Sequence, residues 1–250
     1  SKNVLLCHGE AVQIIRSRSK QADPQIGFAL NARNFIPCDQ TEAAIEDARA
    51  KMFDIEAGTF MAANWWADAM ILGKAPKYLE NVLTEEDLNV ICQPLDFFGY
   101  NVYFASNYNA DMKTPDNGWA GMPRTQMGWA VTPEVLYWSP KFLYERYKLP
   151  ILITENGMSN LDVVMRDGKV HDPQRIDYMD RYLREFHRVM EDGVPIAGYT
   201  AWSIMDNFEW AEGFDPRFGL VYVDYRTQER IPKDSFYWYR NVIRQNGLED

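Results

Sequence analysis

The chain has 250 residues, 46% of them hydrophobic and 25% charged, which excludes a disordered tail, a disulfide-built mini-protein and a collagen-like rod. With 26 Lys and Arg against 36 Asp and Glu, the net charge is −10; such a surface repels phosphate and anionic lipid, so neither nucleic acid nor membrane is an expected partner. No apolar run approaches the ~20 residues that span a bilayer, and no basic start leads into an apolar segment as in a signal peptide.

Val4, Leu5, Cys7, Ala11, Val12, Ile14 and Ile15 recur at helical spacing, so the chain opens, without a methionine, inside a helix that ends near Ser19. Residues 26–30 read as a short strand closed by Asn31. A helix is expected over 41–61, with Thr41 able to cap it without a full capping box. DFFGYNVYF at 96–104 is aromatic-rich and strand-like. Residues 105–132 carry Asn, Asp, Pro and Gly without a period, and a loop that long is usually functional. Thr132-Pro133 starts a helix running to about Tyr147. ILIT at 151–154 is a strand, 173–190 a helix, and IAGYTAWS at 196–203 a strand. A hairpin around 218–225 and a helix over 235–244 complete the chain.

The order is a helix followed by βα four times, with strands near 26, 97, 151 and 196. That alternation implies a parallel sheet with helices packed outside and right-handed crossovers. A whole (β/α)8 barrel also needs about 250 residues, but four strands cannot close one. The sequence therefore reads as an α/β chain of about four βα units: half of a TIM barrel, spanning 1–250 with no second domain. A half barrel exposes sheet edges and the inner strand face, so a partner segment or chain is expected to cover them.

Cys7, Cys38 and Cys92 are odd in number and lack CxxC spacing. They read as reduced, buried small hydrophobes of a cytoplasmic protein. His8, His171 and His187 have no ligand spacing, so no metal is expected. The 8 Trp, 14 Tyr and 13 Phe must largely be core, yet some can line a cleft where flat faces stack on sugar rings.

Three stretches can carry chemistry. In Ile153-Thr154-Glu155-Asn156-Gly157, a carboxylate sits at the C-terminal end of a parallel strand, where barrel enzymes place catalytic groups. Asn156-Gly157 permits the abrupt turn that follows, although a short motif of this kind also occurs as an ordinary polar turn. The run from Thr200 to Phe214 follows the next strand and reaches the same end of the sheet. It combines Trp202 and Trp210 with Asp206, Glu209 and Glu212, a mix of stacking faces and hydroxyl acceptors. A core tryptophan pair beside a solvated acidic loop has the same composition. Asn101 and Tyr103 share one strand face, where they can orient a neighbouring carboxylate or simply pack. Residue types alone would pair Glu155 with Glu209.

ITENG, TAWSIMDNFEW, EGFDPRFGLVYVDY and PKDSFYWYRNVI, in that order, resemble the C-terminal half of glycoside hydrolase family 1, the retaining β-glucosidases built on a (β/α)8 barrel. The opening LLCHGEAVQIIR resembles the helix after that family's fourth strand. The resemblance implies hydrolysis of β-glycosides through a covalent glycosyl-enzyme on Glu155, with Tyr103 bonded to that nucleophile. It implies that Asn101, Trp202 and Phe218 line the glycone site, that Glu209 and Trp210 hold the sugar's distal hydroxyls, and that Trp129 lines the leaving-group side. The loop 105–132 then forms part of the aglycone entrance. Glu209 becomes a substrate binder, not a second catalytic carboxylate. Neither cofactor nor metal is implied, because retaining hydrolysis needs only two carboxyl groups.

One departure is informative. The family's general acid/base lies in a Thr-Phe-Asn-Glu-Pro motif at the fourth strand, and no Asn-Glu-Pro occurs in the 250 residues. Activity is therefore expected to need an N-terminal half-barrel segment that carries the acid. A carbohydrate-binding or scaffold half barrel is the alternative, and glucoside, galactoside and fucoside preferences stay open. Glu209 beside Trp210 argues against a 6-phosphorylated sugar, which the carboxylate would repel.

Overall fold

In the computed structural model of the protein, which describes residues 1–55, 59–108 and 121–248, the opening stripe forms α1 (Lys2–Arg18). Leu5 and Val12 are buried, while Val4, Ile14 and Ile15 of the same stripe stay exposed. Gly9 lets α1 pack tightly: a Cβ there would lie 2.0 Å from the Val90 carbonyl oxygen. Then come β1 (Gly27–Asn31), β2 (Phe35–Pro37), α2 (Glu42–Met52), α3 (Ala63–Leu72) and α4 (Glu85–Ile91). Val90, met by Gly9, lies in α4. Thr41 caps α2 as expected, its hydroxyl accepting from the Ala44 amide. Thr84 and Asp87 form a reciprocal capping box at α4.

The second part runs β3 (Phe97–Asn101), β4 (Ser106–Tyr108), α5 (Val135–Tyr147), β5 (Ile151–Asn156), α6 (Pro173–Glu191), β6 (Ile196–Ala201), β7 (Val221–Val223), β8 (Arg230–Pro232) and α7 (Asp234–Gln245). The sheet has the order β1-β3-β5-β6, every pair parallel. Sequence order and spatial order coincide, as successive βα units require. Phe98, Tyr100, Ile151 and Ile153 pack with Leu136, Leu143, Tyr182 and Phe186 in the main core cluster. Opposite that core, the strand ends align: Asn31 pairs with Asn101, Asn101 with Glu155, and Asn156 with Ala201. The C-terminal edge of the sheet thus gathers the polar residues.

Several expectations need correcting. The helix from Thr41 ends at Met52, not near Met61; residues 56–58 lie outside the described part, and a separate α3 follows. The helix expected from Thr132 starts at Val135, after a turn through Pro133 and Glu134. The hairpin expected at 218–225 pairs Val221 with Pro232 instead, its turn spanning 224–229. The cysteines are free thiols, but Cys7 and Cys38 are exposed and Cys92 is half-buried; Cys7 faces outward from α1, away from the stripe that buries Leu5 and Val12. Residues 109–120 of the long loop lie outside the described residues. Among the described residues no helix is long and apolar enough to cross a membrane.

At the surface His171 ties the loop after β5 to α7, with Nδ1 2.6 Å from Asp234 and Nε2 3.1 Å from Asp167. These hydrogen bonds, Asp234 first, raise its pKa above the usual 6.5. A raised folded value means stability that is complete below about pH 6.5 and lost as pH climbs through the folded pKa. Thermal unfolding of His171→Gln is therefore expected to show a lowered Tm at about pH 5.5 and a wild-type Tm near pH 9. An equal loss at both pH values would refute the linkage.

Candidate active site

Glu155 owes its position to an irregularity. Ile151 and Ile153 alternate into the helix layer, and regular pleating would send Glu155 after them. The β5–β6 register instead shifts between Ile153 and Asn156. Asn156 takes the buried place, its amide donating to the Val102 carbonyl (2.8 Å) and accepting from the Tyr199 hydroxyl (2.8 Å). Shifts of this kind next to functional sites re-aim a side chain, and here Glu155 is turned to the open end of the sheet.

Across the register shift in β3–β5, Asn101 stands opposite Glu155. Its Oδ1 accepts from the Thr154 hydroxyl at 2.5 Å. Two residues past β3, the Tyr103 hydroxyl donates to Glu155 Oε2 at 2.6 Å. Burial first, and then the hydrogen bond to Glu155, push the Tyr103 pKa well up. The phenol therefore stays protonated and remains a donor. Its ring belongs to an aromatic group with Trp129 at 5.1 Å and Phe218 at 6.2 Å, and Phe104 stacks on Trp129 at 5.3 Å and 29°.

Glu155 and Glu209 line one cavity of about 640 Å3, together with Asn101, Tyr103, Trp129 and Trp210. Burial, the nearby Glu155 charge and then Glu212 raise the Glu209 pKa. Trp210 lies at the cavity's edge and is 81% exposed. Two of the eight expected site residues are not among the cavity's lining. Phe218 is 2% exposed and supports Tyr103 and Trp129 from behind. Trp202 is half-buried and does not line this cavity. Asn31, Arg33, Asn34, Phe35, Met61 and Phe104 line it but carry no motif that would single them out.

Two devices hold the 202–210 segment beside β5. Gly157 lies against the Trp202 backbone, where a Cβ would meet the carbonyl oxygen at 1.9 Å, so no other residue fits. Behind Glu209, Asp206 accepts from Lys233 Nζ (2.9 Å), Arg217 Nη1 (2.6 Å) and the Gly219 amide (3.0 Å). Lys233 also reaches Asp162 at 2.5 Å, and Arg175 joins Asp162 to Asp172. Lys233, Asp162 and Asp206 have fully buried side chains. Burial, and then the Arg175 charge, lower the lysine's pKa, while both aspartates oppose that shift. Among the described residues no group of three His, Cys, Asp and Glu side chains is arranged to hold a metal.

Comparison with known proteins places this architecture. The family model for glycosyl hydrolase family 1 matches residues 1–248. The chain is 41% identical to beta-glucosidase A of Thermotoga maritima, over 99% of this chain and 56% of that protein. It is also 41% identical to the 1,4-beta-D-glucan glucohydrolase of Thermotoga neapolitana, with the same coverage. Among solved structures, the family 1 β-glucosidase of T. maritima superposes with a TM-score of 0.82 at 37% identity, over 100% of this chain and 57% of that one. Its complex with noeuromycin gives 0.83 at 39%, covering 99% and 56%. The chain belongs to glycosyl hydrolase family 1 and has the (β/α) fold of its TIM-barrel members. It spans about 56% of the length of the curated relatives it matches, the share that corresponds to their C-terminal half.

Proposed function

We propose that residues 1–250 form the nucleophile-bearing half of a single barrel catalytic domain. In this reading the whole protein hydrolyses terminal β-D-glucosyl residues with retention. Glu155 attacks the anomeric carbon and the leaving group departs, giving a glycosyl-enzyme that water then hydrolyses. Retention requires a second carboxyl group about 5–5.5 Å away, protonated to donate to the leaving oxygen and ionised when water attacks. An N-terminal half-barrel segment supplies that acid/base.

The observation that carries the reading is the Tyr103 hydroxyl on Glu155 Oε2 at 2.6 Å, inside an aromatic-walled cavity. A donor on one oxygen holds the carboxylate in place and leaves the other oxygen for attack. Glu209 and Trp210 suit recognition of sugar hydroxyls, with Asn101 beside the nucleophile. Trp129 forms the leaving-group wall, Phe218 backs the subsite, and Trp202 meets the ring once the second half is in place. An acidic Glu209 favours an unphosphorylated glycone. A cytoplasmic location fits three free thiols.

Combining the chain with an N-terminal half-barrel segment of a family member tests this directly. Hydrolysis of an aryl β-glucoside with a β-configured initial product is the expected result. An α-configured product, or no hydrolysis by a complex shown to assemble, refutes the reading.

A further inference from the structure

Among the described residues that line the cavity with the aromatic wall, Arg33, in the turn between β1 and β2, is the one cation. Its backbone is held rigidly. The Arg33 amide donates to the Met61 carbonyl at 2.7 Å. The next residue, Asn34, accepts from the Tyr100 and Ser139 hydroxyls at 2.8 Å each and donates to the Phe104 carbonyl at 3.3 Å. That last bond ties the Arg33 turn directly to the residue stacked on Trp129.

The guanidinium itself is poorly satisfied. Nη2 donates to the Asp54 carbonyl at 2.8 Å, and the group lies 5.9 Å from the centre of the Phe35 ring. Nε is buried without a hydrogen-bond partner. Among the described residues Arg33 makes no ion pair, although Glu155 and Glu209 line the same cavity. Nη1 makes no hydrogen bond among the described residues and, unlike Nε, is not enclosed. A half-buried cation with such an open donor favours an arriving acceptor, and a carboxylate matches a guanidinium best. Phe104, 38% exposed and stacked on Trp129, presents a flat apolar face to the same space.

We propose that Arg33 and the Phe104–Trp129 stack form a leaving-group subsite for aromatic aglycones that carry a carboxylate. The ring lies on the stack and its carboxylate meets the guanidinium. This rests on the reading of the cavity as a β-glucoside site and adds to it a class of substrate. The chain's net negative charge gives no general attraction for such a ligand, so selection depends on this one contact and weakens with salt.

The test uses 4-carboxyphenyl β-D-glucoside and its methyl ester, assayed on the chain combined with its N-terminal half-barrel segment. Arg33→Gln is expected to lower kcat/KM for the carboxylate about tenfold or more and to leave the neutral ester within about twofold. Arg33→Lys, which keeps the charge, is expected to recover part of the loss, and raising the salt to erode the wild-type preference. Undiminished hydrolysis of the ester shows that each variant is folded. If both substrates fall equally on Arg33→Gln, or neither changes, the inference is overturned while the glucosidase reading stands. If the wild-type protein hydrolyses neither substrate, both are overturned.

Discussion

Glu155→Gln is expected to reduce aryl β-glucoside hydrolysis by the complemented protein by several orders of magnitude, with little change in thermal stability. The amide is nearly isosteric and can still accept from the Tyr103 hydroxyl, which donates at 2.6 Å in the wild type. What it lacks is the negative charge, so in the proposed mechanism the covalent step would have no attacking group. Glu209→Gln provides the contrast. That change removes a charge from the cavity wall, and its main expected effects are on KM and on the choice between glucoside and galactoside. A 2-deoxy-2-fluoroglucoside trapped on the protein should map by mass to the peptide containing Glu155. An adduct elsewhere, or wild-type turnover in Glu155→Gln, would refute the assignment.

The second large effect concerns stability. Asp206→Ala is expected to cost about 3–5 kcal/mol, because it strips the counter-charge from a buried network and leaves donors without acceptors. At about 2–4 °C per kcal/mol for a chain of this size, Tm should fall by roughly 10 °C. Lys233 would keep only Asp162, which Arg175 already engages, and the Gly219 amide would lose its acceptor. Asp206→Asn preserves shape and some hydrogen bonding but still leaves the cations short of charge, so it should fall between. Urea unfolding of the three proteins under identical conditions decides the matter. A loss below about 1 kcal/mol for Asp206→Ala would mean that water or rearranged side chains replace the carboxylate.

Elements with a strong period were legible in the sequence, and those without one were not. The stripe of α6 gives both of its ends within a residue, and ILIT gives β5. In contrast, α3 has ANWWADAMIL, with Ala63, Asn64, Trp65, Ala67, Ala69 and Met70 all buried. A helix enclosed on most sides shows no polar face and hence no period. The three-residue pairing of β2 with β4 is too short to leave a pattern. The hairpin was misplaced because FGLVYV continues apolar up to Val223, while its turn, DYRTQE, lacks the Gly or Asn-Gly that marks tight hairpins.

At the site, the motifs pick out candidate residues but not the layer each occupies. Six of the eight expected residues line the cavity, and Phe218 lies behind it because ring packing, not strand position, sets its depth. Arg33 and Asn34 were missed for a simpler reason: they occupy a turn after a strand, where any polar residue is unremarkable until the fold brings it into one cavity with Tyr103 and Glu155. The expectation that Cys7 and Cys38 are buried failed because residue type predicts burial only on average.

Helix α6 sits on the far side of the sheet from the cavity. Its Tyr178 and Tyr182 rings stack at 3.8 Å, and both hydroxyls donate to the Tyr103 carbonyl at 3.0 Å. The same hydroxyls accept from Asn156 (3.2 Å) and from the Thr132 amide (2.8 Å). Both neighbours of the Tyr103–Glu155 contact are thus clamped to one helix from outside the ligand's reach. Altering that helix's buried face would change the aim of the carboxylate without substituting any residue that lines the cavity. For directed evolution, the two phenols offer a tuning screw that substrate-guided libraries would overlook.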